Sequence, residues 1–322
     1  MESFEGKIAV VTGGGTGMGR ELVKQLAAAG CDVAMCDVIE ANMAETRRQA
    51  EAGARQGVRI TTHVADVSDE AQMLRFAGEV AAQHDTDKIN LLFNNAGIGG
   101  GGSIVSGDRG EWEKTFNVCW SGVYYGVRSF LPMLVAAEEG HIVNTSSVNG
   151  FWASIGPGVP HTAYSAAKFA VKGFTEALIA DLRVNAPHVK ASVVMPGHIG
   201  TEIVANSRKI LTGRETLELS EADVAQTKAR LSAMGVDTSQ LTVETLGQMI
   251  EERARRFHDD APTSAEQAAD IILTGVKEGR WRILVGDDAH MLDERVRKAP
   301  ESAYEPEFFQ TFVQEAGWRL GQ

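Results

Sequence analysis

Three cysteines in 322 residues are too few for the disulfide framework of a small secreted domain, and an odd count leaves one unpaired. Cys31, Cys36 and Cys119 also lack the spacing of a metal site, so buried free thiols in a reducing compartment are expected. No apolar run reaches membrane-spanning length. The opening Met1-Glu2-Ser3-Phe4-Glu5 is acidic and leads straight into a strand pattern, which is not the signature of a signal peptide. A cytoplasmic protein is expected. Positive charge is scarce: 31 Lys and Arg stand against 43 Asp and Glu, a net charge of −12. That balance argues against nucleic acid or an anionic membrane surface as partner, since both reward clustered basic residues. The eight histidines are scattered, so no metal is expected. Internal repeats and low-complexity tracts are missing too. What remains is ordinary globular composition, 43% hydrophobic and 23% charged, with ample material for a core.

Short apolar runs alternate with amphipathic stretches over the first 200 residues. The strands expected are Ile8–Thr12, Asp32–Asp37, Arg59–Val64, Ile89–Phe93, His141–Thr145 and Lys190–Met195. The helices expected between them are Arg20–Ala29, Glu40–Ala54, Asp69–His84, Glu111–Val135 and Ala163–Val184. This order predicts right-handed βαβ units: an α/β, Rossmann-like, doubly wound parallel sheet with helices on both faces. A last helix starts at Ser264, which has capping-box spacing to Gln267, and leads to a strand at Arg282–Val285. The stretch from about 202 to 261 breaks the alternation. It reads as a helical insertion with helices at Glu221–Met234 and Val243–Phe257, parted by Gly235-Val236-Asp237. The extension after Gly286 carries Tyr304, Phe308, Phe309, Phe312 and Trp318, aromatics that should pack on their own subunit or a neighbour. One domain over 1–322 is expected.

The first strand runs into Thr12-Gly13-Gly14-Gly15-Thr16-Gly17-Met18-Gly19 and a helix follows. Glycines let the backbone turn tightly and approach a pyrophosphate, while the helix N-terminus offers unpaired N–H groups. Asp37 ends the second strand, where a carboxylate can accept the adenosine ribose hydroxyls and repel a 2′-phosphate. Neither Thr16 nor Val38 brings a compensating positive charge, and Arg20 lies on the helix. NAD is favoured over NADP.

Tyr164 and Lys168 are four residues apart at the start of a predicted helix and therefore share a face. A free phenol titrates near 10. A neighbouring ammonium and an oxidised nicotinamide both favour the phenolate, so the pair suits general acid–base work. Placed with Thr12–Gly19, Asp66-Val67, Asn94-Asn95-Ala96-Gly97, Asn117, Asn144-Thr145-Ser146-Ser147, and Pro196-Gly197 followed by Thr201, it makes the sequence resemble the short-chain dehydrogenase/reductase family in its shorter branch. The match covers roughly residues 5–201 and the last helix–strand unit.

The resemblance implies a role for each matching position. Tyr164 would exchange the hydroxyl proton, and Lys168 would lower its pKa and bind the nicotinamide ribose. Ser147 would hydrogen-bond the substrate oxygen, and Asn117 would hold a water linking Lys168 to solvent. Ser146 and Ser147 face opposite ways at a strand end, and the family pattern selects Ser147. Asp66 would meet the adenine amino group and Val67 its ring, while Asn95, Ala96 and Gly97 line the adenosine side. Ile199 and Thr201, after Pro196 and Gly197, would anchor the carboxamide. Tetramers or dimers through Glu111–Val135 and Ala163–Val184 are implied as well.

This chain departs from the family in a longer loop before Tyr164, with Phe151, Trp152, Pro157 and Pro160. His161 and His198 fall beside the inferred cleft. Gly99–Gly102 reads as a flexible loop at the carboxyl edge of the sheet. Phe151, Trp152, Ile203, Leu211, Met234 and Met249 are candidates for an apolar pocket or for core. The function expected is hydride transfer between NAD and an apolar secondary alcohol or ketone. A non-catalytic NAD sensor on the same fold, or an epimerase or dehydratase, are the alternatives.

Overall fold

Strands apolar on both faces are stable only inside a sheet that helices cover from both sides. The computed structural model, which describes residues 1–156, 159–213, 219, 221–233, 237–239 and 241–318, has that arrangement. Its main strands are β1 (Ile8–Thr12), β2 (Asp32–Asp37), β3 (Ile60–Val64), β4 (Leu91–Asn94), β5 (Gly140–Thr145) and β6 (Val189–Pro196). A two-residue pair, β7 (Ile199–Gly200) with β8 (Thr263–Ser264), brackets the insertion, and β9 (Arg282–Val285) follows it. The seven-stranded sheet is parallel throughout, in the order β3-β2-β1-β4-β5-β6-β9. Strand order reverses between β1 and β4, the crevice where such sheets bind ligands.

Alternate side chains along each strand feed two cores. On one face α1 (Gly17–Ala28), α2 (Glu40–Gly53) and α10 (Ala265–Lys277) pack Leu22, Leu26, Met43 and Ile272 against Val11, Val33 and Met35. On the other, α3 (Glu70–His84), α5 (Gly122–Val135) and α6 (Thr162–Asn185) bring Phe76, Phe130 and Leu178 onto Val10, Ala34 and Leu92. Ser264 caps α10 in the expected capping box with Gln267. No helix among the described residues is long and apolar enough to cross a membrane.

Three expectations change. The helix foreseen over Glu111–Val135 is α4 (Arg109–Phe116), a π turn at Asn117–Ser121, and then α5. The Gly122 N–H reaches back to the Asn117 carbonyl, and Gly122 packs so close to Val67 that an added Cβ would lie 2.6 Å from its Cγ2. The extra residue re-phases the helix, a feature common at functional sites. The insertion holds α7 (Ile203–Thr212) besides α8 (Glu221–Ala233) and α9 (Val243–Asp259). Helix α7 escapes the pattern because Glu202 caps it without a side-chain bond. Finally, Gly99–Gly102 is pinned rather than loose: Ser207 Oγ accepts the Gly99 N–H at 2.8 Å, and Glu111 accepts that of Gly101 at 3.0 Å. Pro157, Met234, Gly235 and Val236 lie outside the described residues.

After β9 the chain forms α11 (Asp287–Lys298) and α12 (Pro306–Ala316). The aromatic tail folds onto its own subunit, where Phe308, Phe309 and Phe312 surround the buried Trp152 at centroid distances of 5.8–6.1 Å. Trp152 is therefore core, whereas Met249 is exposed.

Candidate active site

Beyond β1 the chain turns through glycines and enters α1 at Gly17. Thr12 stitches this turn to the end of β4: its hydroxyl accepts the N–H groups of Asn95 at 3.0 Å and Ala96 at 3.1 Å. There is no room for side chains here. A Cβ on Gly19 would lie 2.0 Å from the Gly13 carbonyl oxygen, and Gly13 itself has φ +64° with Ala96 against it. Thr16 is the N-cap, yet it makes no side-chain bond to the helix. Its hydroxyl accepts the Asn206 amide of α7 instead, at 2.9 Å. The N–H groups of Gly17, Met18 and Gly19 have no helical acceptors and no cap, a set suited to an anion.

These groups open onto a cleft partly in contact with solvent. It is lined by Gly13, Thr16, Gly17 and Met18, by Asp37 and Val38 after β2, by Asp66 and Val67 after β3, by Asn95, Ala96 and Gly97 after β4, and by Thr201. The tight glycine turn, uncapped helix end and flanking carboxylates fit a dinucleotide. Asp37 accepts the N–H of Gly15 through Oδ2 and of Ile39 through Oδ1, both at 3.0 Å. Burial raises its pKa, while those bonds and Arg20 oppose the rise. Arg20 donates to the Gly15 carbonyl at 2.7 Å and to Thr46 at 3.0 Å, which ties the guanidinium to the loop backbone. Asp66 Oδ1 takes the N–H and O–H of Ser68.

Seven residues expected at the cofactor do not line this cleft, two of which, Tyr164 and Lys168, belong to the neighbouring group described below. Gly15 and Gly19 act from behind, as the support of Asp37 and the floor under Gly13. Pro196 ends β6, and Gly197 lies against the buried Asp288 carboxylate, 2.3 Å from where a Cβ would stand. Ile199 is in the core. Ile203 of α7, a candidate pocket residue in the sequence, lines the cleft, together with Ile39, Ala65, Ile98, Val118, Asn206 and Ile210, which the sequence does not single out. The apolar ones share their hydrophobic signal with any core position, and Asn206 has no local motif to mark it.

Gly97 joins the cleft to the second group of residues, since a Cβ there would stand 3.5 Å from Lys168 Nζ. Lys168 is 2% exposed and donates to the Thr145 carbonyl at 2.9 Å, with Nζ 5.3 Å from the Tyr164 ring centroid. Burial lowers its pKa, and the Cys119 thiol partly offsets that. The two serines ending β5 divide as the pleat requires. Ser146 Oγ donates to the Lys168 carbonyl at 2.7 Å and fixes α6 to the sheet. Ser147 Oγ accepts the Asn149 N–H at 3.1 Å and is hydrogen-bonded to Tyr164. Burial pushes the Tyr164 phenol up, Cys119 adds to this, and the Ser147 bond opposes it. The isolated site thus holds the phenol proton firmly, and added positive charge would be needed to release it.

Asn117 is not brought to this group. Its side chain is exposed, its Oδ1 accepts a bond from Ser121 at 3.4 Å, and its carbonyl takes the Gly122 N–H. The re-phased π turn brings Cys119 inward in its place. Cys119 is fully buried, its Sγ donates to the Ile98 carbonyl at 3.2 Å, and it stands 3.7 Å from the Gly97 Cβ position. Of the two histidines, His198 is structural: its backbone N–H donates to Asp288, and its Nε2 meets the Phe257 carbonyl at 2.7 Å. His161 lies against Tyr164.

Comparison with known proteins identifies the family and the fold. The pattern of the family described as short chain dehydrogenase matches residues 7–211. The SadH protein of Mycobacterium tuberculosis is 34% identical over 297 residues, 92% of each chain. A short chain dehydrogenase/reductase from Burkholderia phymatum, solved in complex with NAD, is 29% identical with a TM-score of 0.74, covering 95% of this chain and 98% of that one. A metagenomic short-chain oxidoreductase in complex with NADP is 31% identical with a TM-score of 0.53, covering 60% and 83%. Fold, site and sequence converge, and the chain belongs to the short chain dehydrogenase family.

Proposed function

We propose that the protein is an NAD-dependent oxidoreductase acting on the carbinol or carbonyl carbon of a largely apolar secondary alcohol or ketone. The observation that carries this reading is that Lys168, over the Tyr164 ring, stands beside Gly97, a residue of the cleft that the uncapped helix N-terminus also lines. A bound nicotinamide would supply the hydride acceptor for oxidation or the hydride donor for reduction. The chain's residues handle the proton. Ser147, which accepts the Asn149 N–H on one lone pair, has a proton to give to the substrate oxygen. Tyr164 takes the hydroxyl proton as the alcohol becomes a ketone and returns it in reduction. Lys168, locked by Thr145, holds positive charge under the phenol and so favours its ionised form.

The preference for NAD rests on Asp37. The relatives of known structure include a complex with each dinucleotide, so the choice lies with this chain's own residues. A half-buried carboxylate fixed by two backbone N–H groups cannot easily swing away from a 2′-phosphate. Buried free thiols suit a reducing cytoplasm. Exposed Tyr124 and Phe169, on α5 and α6, suit a homo-oligomeric contact, a tetramer or dimer.

A screen of secondary alcohols and ketones at the NADH absorbance, run in parallel with NADP, tests the reading. Turnover at least about tenfold better with NAD is expected, a charge effect of about 1.4 kcal/mol or more. Equal use of both dinucleotides would remove the Asp37 argument, and no turnover with either would remove the enzyme.

A further inference from the structure

A second titratable ring stands beside the phenol. His161 immediately precedes α6, and its imidazole lies with its centroid 4.7 Å from that of Tyr164, the planes tilted by 31°. The backbone here is fixed. The His161 carbonyl accepts the Ser165 N–H at 3.0 Å, and the N–H groups of Thr162 and Ala163 donate to the Gly102 and Gly101 carbonyls at 3.1 Å each. The ring position is therefore set by the fold and by contact with Tyr164.

Its hydrogen bonds are not set. His63, His84, His141, His188 and His198 each place a ring nitrogen on a protein partner. His161 has no such partner among the described residues, and neither of its nitrogens is sealed from solvent as His84 Nδ1 and His198 Nδ1 are. Burial, and then the positive charge of Arg253 on α9, push its pKa down to about 4. At neutral pH the ring is uncharged, with one N–H to give and one lone pair to receive. A half-buried polar ring seldom keeps both unused. A neutral ring does not select a carboxylate by charge; it selects a hydroxyl or a carbonyl.

We propose that His161 is a specificity-determining residue that hydrogen-bonds a second oxygen function of the substrate, on a carbon adjacent or next-adjacent to the reacting carbinol. The two ring centroids stand 4.7 Å apart, close enough for one small substrate to reach both a ring nitrogen and the phenol. Two oxygens on neighbouring or next-neighbouring carbons suit that reach. The inference rests on the oxidoreductase reading of the same site and narrows its substrate class to α- and β-oxygenated ketones and the matching alcohols.

Steady-state reduction of paired ketones tests it, each pair an aliphatic α-hydroxyketone and the ketone of the same skeleton lacking the hydroxyl. His161→Phe keeps the ring against Tyr164 and removes both hydrogen-bonding functions; His161→Gln keeps a donor and an acceptor. The wild type is expected to favour the hydroxyketone. His161→Phe should lower kcat/KM for the hydroxyketone about tenfold, chiefly through KM, and leave the plain ketone within about twofold; His161→Gln should recover part of the loss. An equal fall for both ketones, or no preference in the wild type, overturns the proposal while the oxidoreductase reading stands. A wild type that reduces neither member of any pair overturns that reading, and this one with it.

Discussion

The side-chain amide of Asn206, on the insertion helix α7, donates to the hydroxyl of Thr16 at 2.9 Å. A residue type that ordinarily caps helices is thereby held off the helix it precedes. The uncapped N–H groups stay available to an anion, and α7 becomes part of the dinucleotide cleft. The bond links sequence positions 190 residues apart.

Removal of that amide frees Thr16 to cap α1 and to compete with the cofactor. Asn206→Ala is expected to weaken NADH binding about threefold to tenfold, the worth of roughly one neutral hydrogen bond. Fluorescence titration of NADH measures it. Unchanged affinity would show that Thr16 and the pyrophosphate do not compete.

Cys119 and Asn117 should behave oppositely. Asn117→Ala touches an exposed side chain and is expected to leave kcat within about twofold, since surface changes are mostly small. Cys119→Asp puts a negative charge beside Tyr164 and is expected to move the basic limb of the kcat/KM–pH profile upward by about one unit. A profile unmoved in Cys119→Asp and collapsed activity in Asn117→Ala would reverse the assignment.

Acid should destabilise the fold through its buried neutral histidines. His141 is 1% exposed, meets Ser192 Oγ through Nε2 at 2.7 Å, and is pushed by burial from 6.5 down to about 3. Its folded pKa lies below its unfolded one, so below 6.5 the unfolded chain binds the extra proton. The stability is fully present above 6.5 and is lost as pH falls towards 3. The slope reaches about 1.4 kcal/mol per pH unit for this one group. Urea unfolding at pH 7 and pH 5 should show the loss, and His141→Asn should show a shallower one. Parallel slopes in the two proteins would contradict it.

Much of this is legible in the sequence. Strands β1, β2 and β9 begin and end where the apolar runs do, because Thr12, Asp37 and Gly286 bound them sharply. Tyr164 and Lys168 could be paired because helical spacing is a local property. Ser147 over Ser146 could be chosen because a pleat alternates. The π turn was invisible: apolar periodicity continues across Asn117–Ser121, and the offset is set by Gly122 packing on Val67, a tertiary contact. Asn117 was misplaced for the same reason. Helix α7 lacks a cap signal, and its cleft residues Ile203 and Ile210 read like any amphipathic face. Trp152 reads as either pocket or core in the sequence, and the aromatic tail of α12, packed over it, makes it core.

The central claim is that Tyr164 moves the proton. Tyr164→Phe keeps the ring, its contact with His161 and its place under Lys168, and removes only the hydroxyl that Ser147 bonds. The decisive measurement is kcat of Tyr164→Phe on any alcohol the wild type oxidises, beside its NADH affinity. Our account predicts a fall of about 100-fold to 10,000-fold in kcat with NADH affinity nearly unchanged. Turnover at the wild-type rate in that variant would contradict it.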